Sequence, residues 1–286
     1  VSQYIKHIKL YNEKENIEDV INALKDTDFN IENFSKTAEN VAKLSKIADI
    51  ITKQGCGGNG FNNLHQHRKM LVEELTPKIS TTEDPYELKD IMRALLLLSP
   101  DDRPINKYIE RTVFFNTEEG ISLQYAYTFL SEGLSSIKKR YEDLCNFVSE
   151  QCPILFHNVD IIFERPAQVK HTILMQICTR LFSIFVDSVL QDINSTNDEE
   201  FCPTLMYFYE TTSNTFKHIW NIENQQLASP PSTYLDAIFM KHQRLYGQKE
   251  ITRLRIDLSS YVESSLEKLD RVYKQTGLSV IFKKSD

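Results

Sequence analysis

Four of the chain's eight glycines fall in one run, Gln54-Gly-Cys-Gly-Gly-Asn-Gly60, and the other four are scattered over the remaining length. Each glycine in a helix interior costs about 0.5–1 kcal/mol relative to alanine, because its backbone loses the most freedom on ordering. A chain that keeps glycine out almost everywhere is suited to long, uninterrupted helices. The run itself reads as one connection between helices. It holds no lysine and follows no strand, so it lacks what a phosphate-cradling loop requires. The expected fold is all-α, an elongated rod of stacked helical bundles.

Apolar periodicity places the helices. One is expected over 3–25. Another runs from residue 28 to the glycine run, with Phe34, Ala38, Val41, Ala48 and Ile51 on one face. Helix resumes near residue 62 with Leu64, Leu71, Leu75 and Ile79. Asp84, Pro85 and Glu87 then mark a helix start: a capping carboxylate, a proline at the first helical position, and an acid three residues after the cap. Its stripe is Leu88, Ile91, Met92, Leu95 and Leu96, and Ser99-Pro100 ends it. Arg103-Pro104 opens a short helix through Tyr108 and Ile109. A long helix is expected over 118–152, stopped by Pro153, with 154–163 as helix or linker.

Arg165-Pro166 is the best candidate boundary, dividing a first bundle over 1–164 from a second over 165–286. Beyond it, 169–190 is apolar on nearly every face, as the central helix of a bundle must be. A polar turn follows at 194–198, then a helix to Trp220. After the breaker Ala228-Ser-Pro-Pro231, with Ser232 as the expected cap, comes the longest helical stretch, 233–273, interrupted at most near Gly247. Its stripe is Leu254, Leu258, Tyr261, Leu266, Leu269 and Val272. The one strand-like alternation lies at 278–282.

The chain has 286 residues, is 41% apolar and carries a net charge of −7. That balance suits a folded chain in water. It speaks against broad nucleic-acid binding, which needs clustered Lys and Arg, and against direct binding to anionic membrane. The apolar stretch 173–190 includes Gln176, Arg180 and Asp187, which hydrocarbon penalises, so no membrane insertion is expected. The opening at Val1, inside a helical pattern, suggests a piece of a longer protein. Cys56, Cys145, Cys152, Cys178 and Cys202 are odd in number and widely spaced, which fits reduced thiols in the cytoplasm. The sequons at Asn33 and Asn194 are of a number chance supplies.

The candidate chemical sites are weak. Cys56, His65 and His67 are zinc-ligand types, but they lack a fourth ligand, and residues two apart on a helix face apart. Cys145 and Cys152 share a helical face and read as buried thiols. His157 and His171 flank the boundary and read as packed or solvated. Glu73-Glu74, Glu118-Glu119 and Glu199-Glu200 are adjacent acids that point apart. Tyr207-Phe208-Tyr209 and Phe182 with Phe185 sit at core spacing. Lys241, Arg244, Lys249, Arg253 and Arg255 give the last helix a basic flank, interleaved with Glu250 and Asp257. No catalytic residue, cofactor site or metal site is assigned, and no enzyme is expected.

Several short stretches, in order, carry a resemblance. They are Leu10-Tyr11-Asn12-Glu13, then Lys107-Tyr108-Ile109, then Asp160-Ile-Ile-Phe163 with Gln176, Phe182 and Phe185-Val186. Phe208-Tyr209-Glu210-Thr211-Thr212 follows, and last Ile238-Phe239 with Tyr246 and Glu250. In this order the chain resembles the exocyst complex component five family, a vesicle-tethering subunit. The resemblance implies stacked helical bundles in a non-catalytic scaffold that acts in exocytosis. Its partners would be other tethering-complex subunits, contacted through helical surfaces, with small GTPases or vesicle proteins reached indirectly. Its location would be cytoplasmic and peripheral, at vesicle or plasma-membrane sites. The glycine run and the Pro230-Pro231 break depart from the family pattern. Recyclin-type F-box proteins carry a similar region, and that alternative implies endosomal recycling and ubiquitin-ligase recruitment.

Overall fold

A computed structural model describes residues 59–99, 101–117, 133–196, 198–224 and 226–276, together with Ala38 and Ala42. All regular elements among the described residues are helical. The helix expected over 3–25, most of the next one, and the pattern at 278–282 lie outside the described residues. Ala38 and Ala42 are helical and buried, and Ala38 joins the main core.

Helix α1 (Asn59–Thr81) packs on α2 (Pro85–Leu98). The α2 start forms as its sequence dictates. Asp84 accepts hydrogen bonds from the Tyr86 and Glu87 backbone N–H groups at 3.2 and 3.4 Å, and Pro85 occupies the first turn. Leu88, Ile91, Met92 and Leu95 are buried as expected, and Leu96 packs at the edge. Helix α3 (Arg103–Glu110) and the single turn α4 (Val113–Asn116) follow. Arg111 closes the end of α1 by donating to the carbonyls of Ile79 and, at 2.8 Å, Thr82.

Helix α5 (Leu134–Ile162) corrects two expectations. It starts after Gly133, whose φ of +89° favours glycine and ends any helix reaching it from before. It also runs through Pro153 for another nine residues. A proline inside a helix costs about 3 kcal/mol. Around it Cys152, Leu155, Phe156 and Val159 are buried, and burying each large apolar side chain contributes about 1.5–3 kcal/mol. Burial outweighs the proline, so 154–162 is helix rather than linker.

The central helix is α6 (Pro166–Ile177) and α7 (Ser183–Thr196), joined by a π turn at Cys178–Phe182. In that turn the Ser183 N–H reaches back to the Cys178 carbonyl. Pro166–Asn194 is long and apolar enough to cross a membrane, yet 61% of its most apolar stretch is buried within the fold. Protein groups satisfy its charges. The Arg180 guanidinium lies 4.2 Å over the Phe115 ring, and Asp187 meets Lys241 and His242.

After a 3-10 turn at Asp198–Glu200 come α8 (Phe201–Ile222) and α9 (Pro231–Phe239). The α9 cap is Pro230 with Pro231 in the first turn, which places Ser232 inside the helix. Proline suits that position because its missing N–H would be unpaired there anyway. The last break falls at a 3-10 turn, Met240–His242, and not at Gly247, which sits inside α10 (Gln243–Thr276).

Tyr141 is the hub where α5, α7 and α8 meet. Its ring lies 4.2 Å from Phe208, 5.2 Å from Phe185 and 5.9 Å from Phe182. Its hydroxyl bonds to Thr212. Phe216 stacks on Tyr234 at 5.4 Å, bringing α9 onto α8. One connected core spans both sides of Arg165-Pro166, with α5 packed on α2 and also on α6 and α8.

Candidate interaction surface

Two contacts with α7 fix where α10 leaves the body. Lys241 Nζ lies 2.5 Å from Asp187 Oδ2, and His242 Nε2–H donates to Asp187 Oδ1 at 2.9 Å. Burial holds the His242 pKa below its ordinary value and outweighs the pull of Asp187. The Lys249 ammonium sits 4.9 Å over the Phe201 ring, and Arg253 pairs with Glu250 at 3.1 Å. The basic flank read from the sequence is thus partly neutralised inside the chain.

Beyond Glu250 the helix continues with its apolar face in solvent. Leu254, Leu258, Tyr261, Leu266, Leu269 and Val272, expected as a packing stripe, are all exposed, Leu258 at 64% and Tyr261 at 72%. Ile251 and Val262 extend the same face. The periodicity is correct, and no described residue covers the face. Such a run of exposed large side chains marks a protein-contact surface. Most helical stability in proteins comes from packing an apolar face, so contact with another helix would stabilise α10.

The remaining candidates carry structure. Cys145, Cys152, Cys178 and Cys202 are buried free thiols. Burial pushes Cys145 to about 12 and raises the other three, so they stay protonated and are poor nucleophiles. Cys56 and the side chains of His65 and His67 lie outside the described residues. Among the described residues no group of three His, Cys, Asp or Glu is placed to hold a metal ion. His157 is exposed, whereas His171 Nδ1 meets the Tyr234 hydroxyl at 3.1 Å. Glu73 and Glu74 are both exposed, and Glu118-Glu119 lies outside the described residues. Phe208 is core, and Tyr207 donates to Glu142.

A groove of about 220 Å3 runs between α2, α3 and α5, lined by Leu88, Tyr108, Arg111, Ile154 and Asn158 among others. Burial pushes the Tyr108 phenol up to about 12, and Arg111 is occupied with the end of α1. Neither is placed for acid–base work near neutral pH.

Sequence reading missed a buried ion cluster. Lys170, 6% exposed, donates to Glu223 at 2.5 Å and to Asp160 at 2.9 Å, with Phe156 beneath its ammonium at 5.4 Å. The signal was present: a lysine in a helix apolar on every face must find a carboxylate.

The family described as exocyst complex component Sec10-like, alpha-helical bundle, matches residues 36–283. The chain belongs to that family. No curated protein and no solved structure shows significant similarity to it. Membership in the Sec10-like family makes this an exocyst-type helical bundle and confirms the coarser part of the resemblance. Several of the described residues that carried the resemblance are interior. Tyr108 meets Phe163 at 5.2 Å edge-on, Phe208 lies on Tyr141, and Phe239 meets Tyr209 at 5.4 Å.

Proposed function

We propose that the chain is a non-catalytic scaffold segment of an exocyst component five subunit, which tethers secretory vesicles through protein–protein contact. The carrying observation is the family match over 36–283. The geometry supports it. The buried thiols, aromatics and charges among the described residues are engaged in packing, and α10 offers an apolar face suited to a partner helix. On this reading the subunit works in the cytoplasm, peripherally at vesicle or plasma-membrane sites. Its two successive bundles divide at 164/165, with α5 packed against helices on both sides.

The test is affinity purification of the full-length parent from its native cells, followed by mass spectrometry. Exocyst subunits in comparable amounts are expected. A Skp-type adaptor without them would move the chain to a recyclin-type protein. Recovery of neither would leave the fold alone standing.

A further inference from the structure

We infer that the groove between α2, α3 and α5 is a docking pocket for a tyrosine side chain presented by a partner protein. The inference goes beyond the proposed function and uses a surface distinct from α10.

The walls set the size and the apolar body of the occupant. Ile154, Leu155 and Ile162 share one face of α5, and Pro85 and Leu88 come from the first two turns of α2. The pocket holds about 220 Å3. Pockets that enclose a drug-sized ligand run to about 300–1,000 Å3, so this one suits a single large side chain. Ile154 lines it while 61% exposed, and Tyr86, next to Pro85, is 67% exposed. Large apolar side chains standing in solvent around a small pocket fit a covering protein surface rather than a free small molecule.

The polar groups set the tip. Tyr108 is 3% exposed and lines the pocket, yet its hydroxyl forms no hydrogen bond with a described residue. Nearly all buried polar groups in folded proteins are paired, so this hydroxyl points to a partner from outside. The side-chain amides of Gln151 and Asn158, half-buried in the same pocket, also have no partner among the described residues. Burial keeps the Tyr108 phenol protonated near neutral pH. All three groups can therefore both donate and accept.

The charges exclude an ionic occupant. Glu83 and Arg111 both line the pocket. A carboxylate would meet one like charge, and an ammonium or guanidinium the other. Among neutral side chains, leucine or phenylalanine would shut the Tyr108 hydroxyl away from water with nothing to bond. The tryptophan N–H only donates, and serine, asparagine and glutamine lack an apolar body for the walls. A tyrosine satisfies both requirements. Its hydroxyl accepts from Tyr108, whose donation the nearby Arg111 charge strengthens, and donates to the amide oxygen of Gln151 or Asn158. Its ring covers Leu88 and Ile154.

NMR of the purified chain, observed at isoleucine methyls and side-chain amides, tests this. The probes are N-acetyltyrosinamide, N-acetylphenylalaninamide and N-acetyltryptophanamide. The tyrosine probe should shift Ile154, Gln151 and Asn158 together and bind roughly fivefold more tightly than the phenylalanine probe. Tyr108→Phe removes a hydroxyl that bonds nothing in the chain, so its melting should match the parent while the preference for tyrosine disappears. Ile154→Glu, at an exposed site, should abolish binding of the tyrosine probe whether or not Tyr108→Phe holds its fold. The inference is overturned by an absence of shifts at these residues up to the solubility limit, or by a phenylalanine or tryptophan probe that binds as tightly. It is equally overturned by a folded Tyr108→Phe variant that keeps the preference, or an Ile154→Glu variant that binds like the parent. Each of these results would leave the family assignment and the affinity purification unaffected, because neither depends on this pocket.

Discussion

Lys170 Nζ lies 2.5 Å from Glu223 Oε2, tying the start of α6 to the end of α8 across 53 residues of sequence. Lys170 is buried and Glu223 nearly so, whereas Asp160, the third member, is half in solvent. Removing one partner strands the other charge away from water, which costs about 3–5 kcal/mol. Glu223→Ala should therefore destabilise the fold by about 3 kcal/mol, slightly relieved by Asp160. Replacing both charges, as in Lys170→Met with Glu223→Leu, should cost far less than Glu223→Ala alone. Urea unfolding of the three proteins measures this. Equal losses in single and double variants would show that the pair does not act as a unit.

The Tyr141 hydroxyl bonds to Thr212, whose own hydroxyl also donates to the Phe208 carbonyl at 2.7 Å. Tyr141→Phe leaves Thr212 with that second partner, so the loss should be about 1 kcal/mol. Tyr141→Ala removes a ring in contact with three other rings and should cost about 3–5 kcal/mol through the cavity it leaves. Thermal melting distinguishes the two. A Tyr141→Phe variant as unstable as Tyr141→Ala would refute the division between ring and hydroxyl.

Leu181 and Phe185 lie on the central helix, and Leu181 has no exposed surface. A carboxylate at either site has no counter-charge and should cost several kcal/mol, enough to collapse the bundle. Leu258→Asp on the exposed face of α10 is the control and should leave the main melting transition in place. A Leu181→Asp protein that melts like the parent would disprove the central placement of this helix.

Burial holds the His242 pKa below its ordinary value of 6.5. The unfolded chain therefore takes up a proton more readily than the folded one. The stability contributed by the neutral ring is complete above the ordinary value and is lost as pH falls through the lower folded value. The link between α7 and α10 should loosen on acidification. Asp187→Asn should lower the His242 pKa further, since it removes the charge that opposes the effect of burial. NMR titration of the ring reads both values, and a parent value above the ordinary one would contradict the burial argument.

The parts of the fold that were legible in sequence are those set by local chemistry. Asp84 and Pro85 cap and start α2 wherever α2 packs, and 169–190 can be apolar on all sides only inside a bundle. The parts that were not legible depend on tertiary balance. Pro153 reads as a stop because the local cost is visible and the burial of Cys152 and Phe156 is not. Gly247 reads as the weak point of the last helix, whereas the break falls at 240–242, where Lys241 and His242 turn to meet Asp187. The stripe from Leu254 to Val272 shows that periodicity reveals which face is apolar but not whether this chain covers it.

Pro153 itself offers the last test. It has no N–H to donate to the Ser149 carbonyl, yet it sits mid-helix between Cys152 and Leu155, both buried. Pro153→Ala restores the missing donor and removes the clash of the ring with the preceding turn. If α5 holds its course through packing alone, the substitution should stabilise the protein by roughly 1–3 kcal/mol, seen as a higher urea midpoint with an unchanged slope. A loss of stability would mean that Pro153 contributes more through its place beside Cys152 and Phe156 than its missing N–H costs the helix.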